Sequence, residues 1–275
     1  MIHNILKDKP TRLFVILSGF LIANAMVAEF MGVKIFSLEE TLGFKPVTIQ
    51  LFGDSYSFNL TCGVLLWPVV FVMTDIINEY YGRKGVRFIS WLAVFLIAYG
   101  FLMLFAAMNT TPNAWWVTSK QSAGIENMDK AYNGIFGQGL GIIIASMTAF
   151  LIGQLIDVFV FRSIKKRTGE KHIWLRATGS TLVSQFIDSF VVLIIAFYFY
   201  PKWVPNQGSP WPVNQVIAIG IVNYLYKFTV AILLTPVIYF VHHRIEKYLG
   251  HALALQMKKA AMGEEDGLSD IRDRS

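Results

Sequence analysis

Apolar runs of about twenty residues, the length an α-helix needs to cross ~30 Å of hydrocarbon, recur along this chain and leave few folds open to it. They cover about 11–31, 60–81, 86–108, 137–161, 176–200 and 214–241. With 55% apolar and only 15% charged side chains in 275 residues, the bilayer rather than water is the solvent the composition suits. Backbone polar groups in hydrocarbon must be satisfied internally, so runs of this length predict helices. The expectation is an all-α integral membrane protein, a six-transmembrane-helix bundle. Residues 1–250 form its one membrane domain and 251–275 a charged cytoplasmic tail, partly disordered after Gly263.

The formal net charge of +6 reads as topology rather than as a nucleic-acid surface. Lysines and arginines gather before the first run (Lys7, Lys9, Arg12), in the Arg83 to Arg87 turn, in the Arg162 to Arg176 loop and from Arg244 onward. The alternate loops carry only Lys34, Lys45, Lys120, Lys130 and Lys202. Cationic side chains resist translocation, so this asymmetry puts both termini in the cytoplasm. The outer loop after the first run, with Gly43, Pro46, Gly53 and Asp54, is turn-rich and suits short strands. The long outer segment from Asn109 to Phe136 carries Trp115 and Trp116, which suit an interfacial helix. Cys62 stands alone, which excludes an intrachain disulfide framework. The first run continues to Met31, longer than the apolar core of a cleaved signal, and reads as a retained helix.

Charged residues inside such runs are costly, about 2.5–3.5 kcal/mol each near mid-bilayer on insertion scales, so they mark where to look for function. Glu29, Asp75, Glu79, Asp157, Asp188 and Lys227 fall within or at the edge of the spans. Glu29 and Glu79 also suit the interface. With ~1.5 Å rise per residue, Asp188 lies about 18 Å from its cytoplasmic helix end, Lys227 about 21 Å and Asn24 about 18 Å. These depths predict a central polar cluster of Asn24, Asp188 and Lys227, with Asn223 one turn further out. A bare ion pair that fixes helix packing is the plain alternative.

A second pattern is the echo Gln154-Leu155-Ile156-Asp157 and Gln185-Phe186-Ile187-Asp188 on consecutive spans, which sets amides beside carboxylates. Such a set suits a planar base with several N–H groups and a carbonyl. The third pattern is Trp67-Pro68 followed by Thr74-Asp75-x-x-Asn78-Glu79-x-x-Gly82, where Asp75, Asn78 and Glu79 share a face. They serve either a ligand or an anchor to Arg83, Arg87 or the basic loop after the fourth span. No HExxH, CxxC or P-loop pattern is present in the sequence. No enzymatic activity, cofactor or metal is therefore expected.

These motifs together resemble the queuosine precursor transporters of the vitamin uptake transporter group. The resemblance rests on Trp67-Pro68-x5-Thr74-Asp75-x-x-Asn78-Glu79-x-x-Gly82 and Gly153-Gln154-x-x-Asp157-x-x-x-Phe161. Trp174-Leu175-Arg176-x3-Ser180-Thr181-x3-Gln185-x-x-Asp188 and Asn223-Tyr224-x-x-Lys227 extend it. It implies six spans in the bacterial inner membrane and import of 7-deazaguanine bases for salvage into transfer RNA modification. Position by position it points to Asp75, Asn78, Glu79, Gln154, Asp157, Arg176, Ser180, Gln185, Asp188, Asn223 and Lys227 as substrate-binding residues. Partners expected are the base and membrane lipid, not nucleic acid, with homo-oligomerisation left open. Two alternatives are a substrate-capture subunit of an ATP-driven uptake complex and a carrier of another small polar heterocycle.

Overall fold

The computed structural model describes residues 8–137, 140–168, 173–204 and 209–261. Helix α1 (Lys9–Met31) starts where the Asp8 carboxylate accepts the Thr11 N–H at 2.9 Å, with Pro10 in the first turn, where its missing N–H costs nothing. A small cap follows. Strand β1 (Ile35–Ser37) leads through α2 (Leu38–Thr41) to the hairpin of β2 (Ile49–Leu51) and β3 (Asp54–Tyr56), and β4 (Asn59–Thr61) returns antiparallel to β1. The two-residue turn between β2 and β3 has positive φ at both Phe52 and Gly53, the mirror-image turn whose twist matches paired strands.

Glu39 ties this cap together. Its carboxylate accepts the Phe58 N–H at 3.0 Å and the Val47 N–H at 3.3 Å, from segments far apart along the loop. Burial works against its charge, yet these backbone donors hold the carboxyl below its usual range.

Helix α3 (Trp67–Met108) contains 42 residues, too many for one crossing of a bilayer, and breaks at Gly82 with φ 63° and ψ −169°. Only glycine populates that region without strain. Its two halves both lie along α1. Ala28 lies against Gly63 just before α3, while Phe14 meets Tyr81 and Gly85 at the break and Phe30 meets Phe101 beyond it. The chain therefore reverses direction at Gly82, which makes α3 a hairpin. Leu17, Leu21 and Ala25 of α1 pack there on Ile76, Ile77, Ile89 and Ala93.

Two short helices, α4 (Ala114–Thr118) and α5 (Met128–Phe136), occupy the Trp-rich outer segment. Helix α6 (Leu140–Thr168) packs along α7 (Ile173–Leu193), which continues through a π-helical stretch, 194–199, into α8 (Tyr200–Trp203). Helix α9 (Val213–Leu249) and the short α10 (His251–Ala261) complete the described chain. Among the described residues, five helical segments are long and apolar enough to cross a membrane. Large apolar side chains such as Phe88, Phe95, Phe105, Phe159 and Phe240 point outward, as they do on a surface that faces lipid.

The structure departs from the sequence reading at two places. The second apolar run opens with β4 and a 3₁₀ turn (Cys62–Leu65), so helix begins at Trp67 rather than near Leu60. Pro68 explains the offset: in the first turn of a helix its fixed φ is an asset, whereas deeper inside it would break the ladder. The segment read as a tail begins with α10, which docks beneath the α3 break. There Lys258 pairs with Glu246 at 2.5 Å and sits over the Tyr80 ring. The rest of that tail and the centre of the Pro201–Pro212 loop lie outside the described residues.

Two outcomes follow from this frame. Gly82→Ala forces a side chain into a glycine-only conformation and sets its Cβ 2.8 Å from the Ala261 carbonyl oxygen. It should lower stability by about 1–3 kcal/mol, read as a fall in Tm in detergent that truncation after Gly250 only partly reverses. The Glu39 clamp is present above its unfolded value of 4.5 and is lost as pH falls through the lower folded value. Proteolysis of the loop 38–60 should therefore rise only in acid below about pH 4.5 for the native chain, and at neutral pH already for Glu39→Ala.

Candidate functional site

Helix α7 carries Arg176, Ser180, Thr181, Ser184, Gln185 and Asp188, and a 3.6-residue turn places them on one stripe down the helix. That stripe faces the first half of α3, α6 and α9, and it meets polar partners in three successive layers.

At the Gly82 end the Arg176 guanidinium makes a two-pronged bond to Glu79, with Nη2 at 2.7 Å and Nε at 3.2 Å. Lys165 Nζ of α6 approaches the same carboxylate at 3.1 Å. All three side chains are buried. The fork geometry of arginine matches a carboxylate in a way lysine cannot, and the second cation completes the remaining lone pairs. One turn further in, Asp75 accepts the Thr181 hydroxyl at 3.0 Å and the Ser180 hydroxyl at 3.4 Å. Asp157 lies beside Asp75 and accepts the Ser184 hydroxyl at 3.2 Å. Both aspartates are fully buried.

The third layer is the charged floor of a cavity. Lys227 of α9 pairs with Asp188 at 2.5 Å. Side-chain exposures of 9% and 17% put this pair at the edge of open space rather than in the packed interior. That space, about 690 Å³, extends toward the strand cap and is bounded by Glu29, Trp67, Ser146 and Asn223 as well. Ser146 donates to the Glu29 carboxylate across the α1–α6 contact. Gln185 sits behind the floor with Lys227, its amide oxygen without a hydrogen-bond partner among the described residues.

The structure thus brings Asp188, Lys227 and Asn223 together at one cavity, with Gln185 adjoining. It groups Asp75, Asp157 and Ser180 in the middle layer, and Glu79 with Arg176 in the layer at the Gly82 end. Asn78 is buried between layers, its Nδ2 unpartnered among the described residues. Asn24 and Gln154 stand apart. The Asn24 amide donates back to the Phe20 carbonyl at 2.8 Å, and the cavity wall on α1 is Glu29 instead. Gln154 faces a different groove, between α6 and the second half of α3. Glu29, Ser146, Lys165, Thr181 and Ser184 belong to these layers although spacing alone did not single them out as site residues. For the hydroxyls, the dense run Thr178-x-Ser180-Thr181-x-x-Ser184 was the available signal.

Long apolar helices that enclose buried polar layers and a charged cavity define a polytopic membrane protein. A family model described as "Putative vitamin uptake transporter" matches residues 61–241, and the chain belongs to that family. A protein of Bacillus subtilis (strain 168) named "Probable queuosine precursor transporter" is 30% identical over 193 residues, 70% of this chain and 74% of that one. A Haemophilus influenzae protein of the same name is 27% identical over 185 residues, 66% of this chain and 68% of its own length. The "Queuosine precursor transporter" of Escherichia coli (strain K12) is 26% identical over 187 residues, 67% of this chain and 73% of its own length. No solved structure matches the chain at a significant level.

Removing the Glu79 carboxylate strands two buried cations. Glu79→Gln should therefore destabilise the protein by about 3–5 kcal/mol, as breaking a buried ion pair does. Thermal unfolding of the purified variant against an exposed control, Lys84→Gln, checks it. Equal Tm values would show that the pairing contributes nothing to the fold.

Proposed function

We propose that this chain is a carrier that imports queuosine precursors, 7-deazaguanine bases, across the bacterial inner membrane for salvage into transfer RNA modification. The names of the three relatives support the substrate class. The observation that carries the reading is the Asp188–Lys227 pair on the floor of an accessible cavity. An ion pair kept only for packing needs no such opening, whereas a binding site does.

The chemistry follows from the donor inventory. A 7-deazaguanine edge offers N–H donors and a carbonyl acceptor. Asp188 accepts the former, and Lys227 donates to the latter while neutralising Asp188 when the site is empty. Asn223, Gln185 and Glu29 add further polar contacts, and the half-buried Trp67 supplies a flat face for the ring. Asp75, Asn78, Asp157 and Ser180 line the path onward, and Glu79 with Arg176 closes it at the Gly82 end. No residue is asked to make or break a covalent bond.

The topology that serves this role has six spans, counting the α3 hairpin as two, with both termini cytoplasmic. The cation-rich ends support that orientation, since Arg83, Arg87, Arg162 and Lys166 all lie at the Gly82 end. The cavity then opens outward, and transport alternates that opening with one toward the cytoplasm.

Asp188→Asn and Lys227→Met keep shape and remove charge. Each should reduce uptake of labelled 7-deazaguanine base into salvage-dependent cells by about tenfold or more, the cost of losing a charge-assisted contact. Membrane levels of the variants are measured in parallel. Undiminished uptake by both at normal levels would overturn the assignment. Purified chain in proteoliposomes should move the base without an ATPase partner, and failure there with intact binding would favour the capture-subunit alternative.

A further inference from the structure

A second concave site lies apart from the cavity, between the second half of α3 (residues 83–108) and α6. It encloses about 590 Å³. Its rim on the α3 side is Arg83 and Arg87, and on the α6 side Arg162 and Lys166. Among the described residues no carboxylate lines it. Below the rim the walls turn apolar, and Trp91, Leu155 and Phe159 lie half or more exposed along them. Two polar side chains at the base complete the pattern. Ser90 and Gln154 are each more than nine-tenths buried, yet the Ser90 hydroxyl and both ends of the Gln154 amide meet no partner among the described residues.

We propose that this groove holds one anionic phospholipid, its headgroup phosphate between Arg83, Arg87, Arg162 and Lys166 and its acyl chains along Trp91, Leu155 and Phe159. The order of chemistry down the groove is that of a phospholipid read from headgroup to tail. Cations stand at headgroup level, and aromatic and aliphatic surface begins about one turn below them, at Phe159 and Trp91, as acyl chains do below a headgroup. Ser90 is three residues beyond Arg87, about 4.5 Å deeper along the helix, which suits an ester carbonyl as its partner. A soluble phosphate ion would satisfy the rim and leave the exposed Trp91 and Phe159 faces without a partner, so the apolar half of the site selects a lipid. Positive-inside bias accounts for cations at this end of the helices, but not for their convergence from two helices on one recess with unpartnered polar groups at its base.

The test is lipid retention and stability in defined membranes, with transport left aside, so that the substrate assignment and this one fail separately. Purified protein is placed in nanodiscs of phosphatidylcholine alone or with added phosphatidylglycerol, and native mass spectrometry counts the lipids that stay bound. One anionic lipid should remain in preference to phosphatidylcholine, with a higher Tm in the mixed membrane. Replacing Arg83, Arg87 and Lys166 together by Gln should weaken that retention by about tenfold or more, given roughly 1 kcal/mol per basic residue near an anionic surface. All three side chains are exposed, so the fold should be unaffected; Arg87→Glu alone serves as a second variant if the triple one is not monodisperse. Equal retention of both lipids, or undiminished anionic retention in the variants, would overturn the site. So would a Tm rise of the same size from inorganic phosphate in phosphatidylcholine nanodiscs, which would make it an anion site and not a lipid site.

Discussion

The bundle depends on how charge is kept in a medium that cannot solvate it. Glu79, Arg176 and Lys165 meet where four segments converge: α7 and α6 bring the cations, the first half of α3 brings the carboxylate, and α10 closes the end beneath the α3 break. None of the three could remain buried alone at acceptable cost, so each fixes the rotation of its helix about its own axis. Once that rotation is set, the rest of the α7 stripe is set with it. Ser180 and Thr181 necessarily point at Asp75, and Asp188 at the space in front of α9.

The contrast between the two ends of that stripe gives the molecule its sense of direction. At the Gly82 end the Glu79 carboxylate is held by Arg176 and Lys165 together, and all three are sealed from solvent. At the cap end the Asp188–Lys227 pair is simpler, with one contact and partial exposure, and adjoins a cavity large enough for a small heterocycle. A multiply bonded network resists opening, whereas a single pair can exchange partners with a ligand. The difference comes from the residues themselves: arginine's two-pronged bond and a second cation hold one layer, and a single lysine contact holds the other.

The recess on the opposite face of α6 shows the same helix doing separate work on its two sides. Asp157 and Lys165 face the internal layers, while Gln154, Arg162 and Lys166 face the groove toward the second half of α3. The hairpin at Gly82 makes this possible. Folding the 42-residue helix back on itself gives one half to the polar layers and the other to the groove beside α6. A glycine with positive φ, pressed against the end of α10, is therefore a joint between the two regions.

Much of the class was legible from sequence alone because the bilayer imposes a one-dimensional rule. A run of about twenty apolar residues can satisfy its backbone only as a helix, and a lone charge inside it must find a partner. Depth along a helix is likewise a linear count, which is why the sequence alone pairs Asp188 with Lys227 across separate spans. Rotation about a helix axis and the choice between neighbours are not linear. Asn24 has the right depth yet bonds to its own helix, while Glu29, just over one turn away, lines the cavity. Gln154 and Gln185 echo each other in sequence but sit on different faces of the α6–α7 pair. Those outcomes are decided by which side chains the packed bundle turns inward, a property of all the helices together and of no single segment.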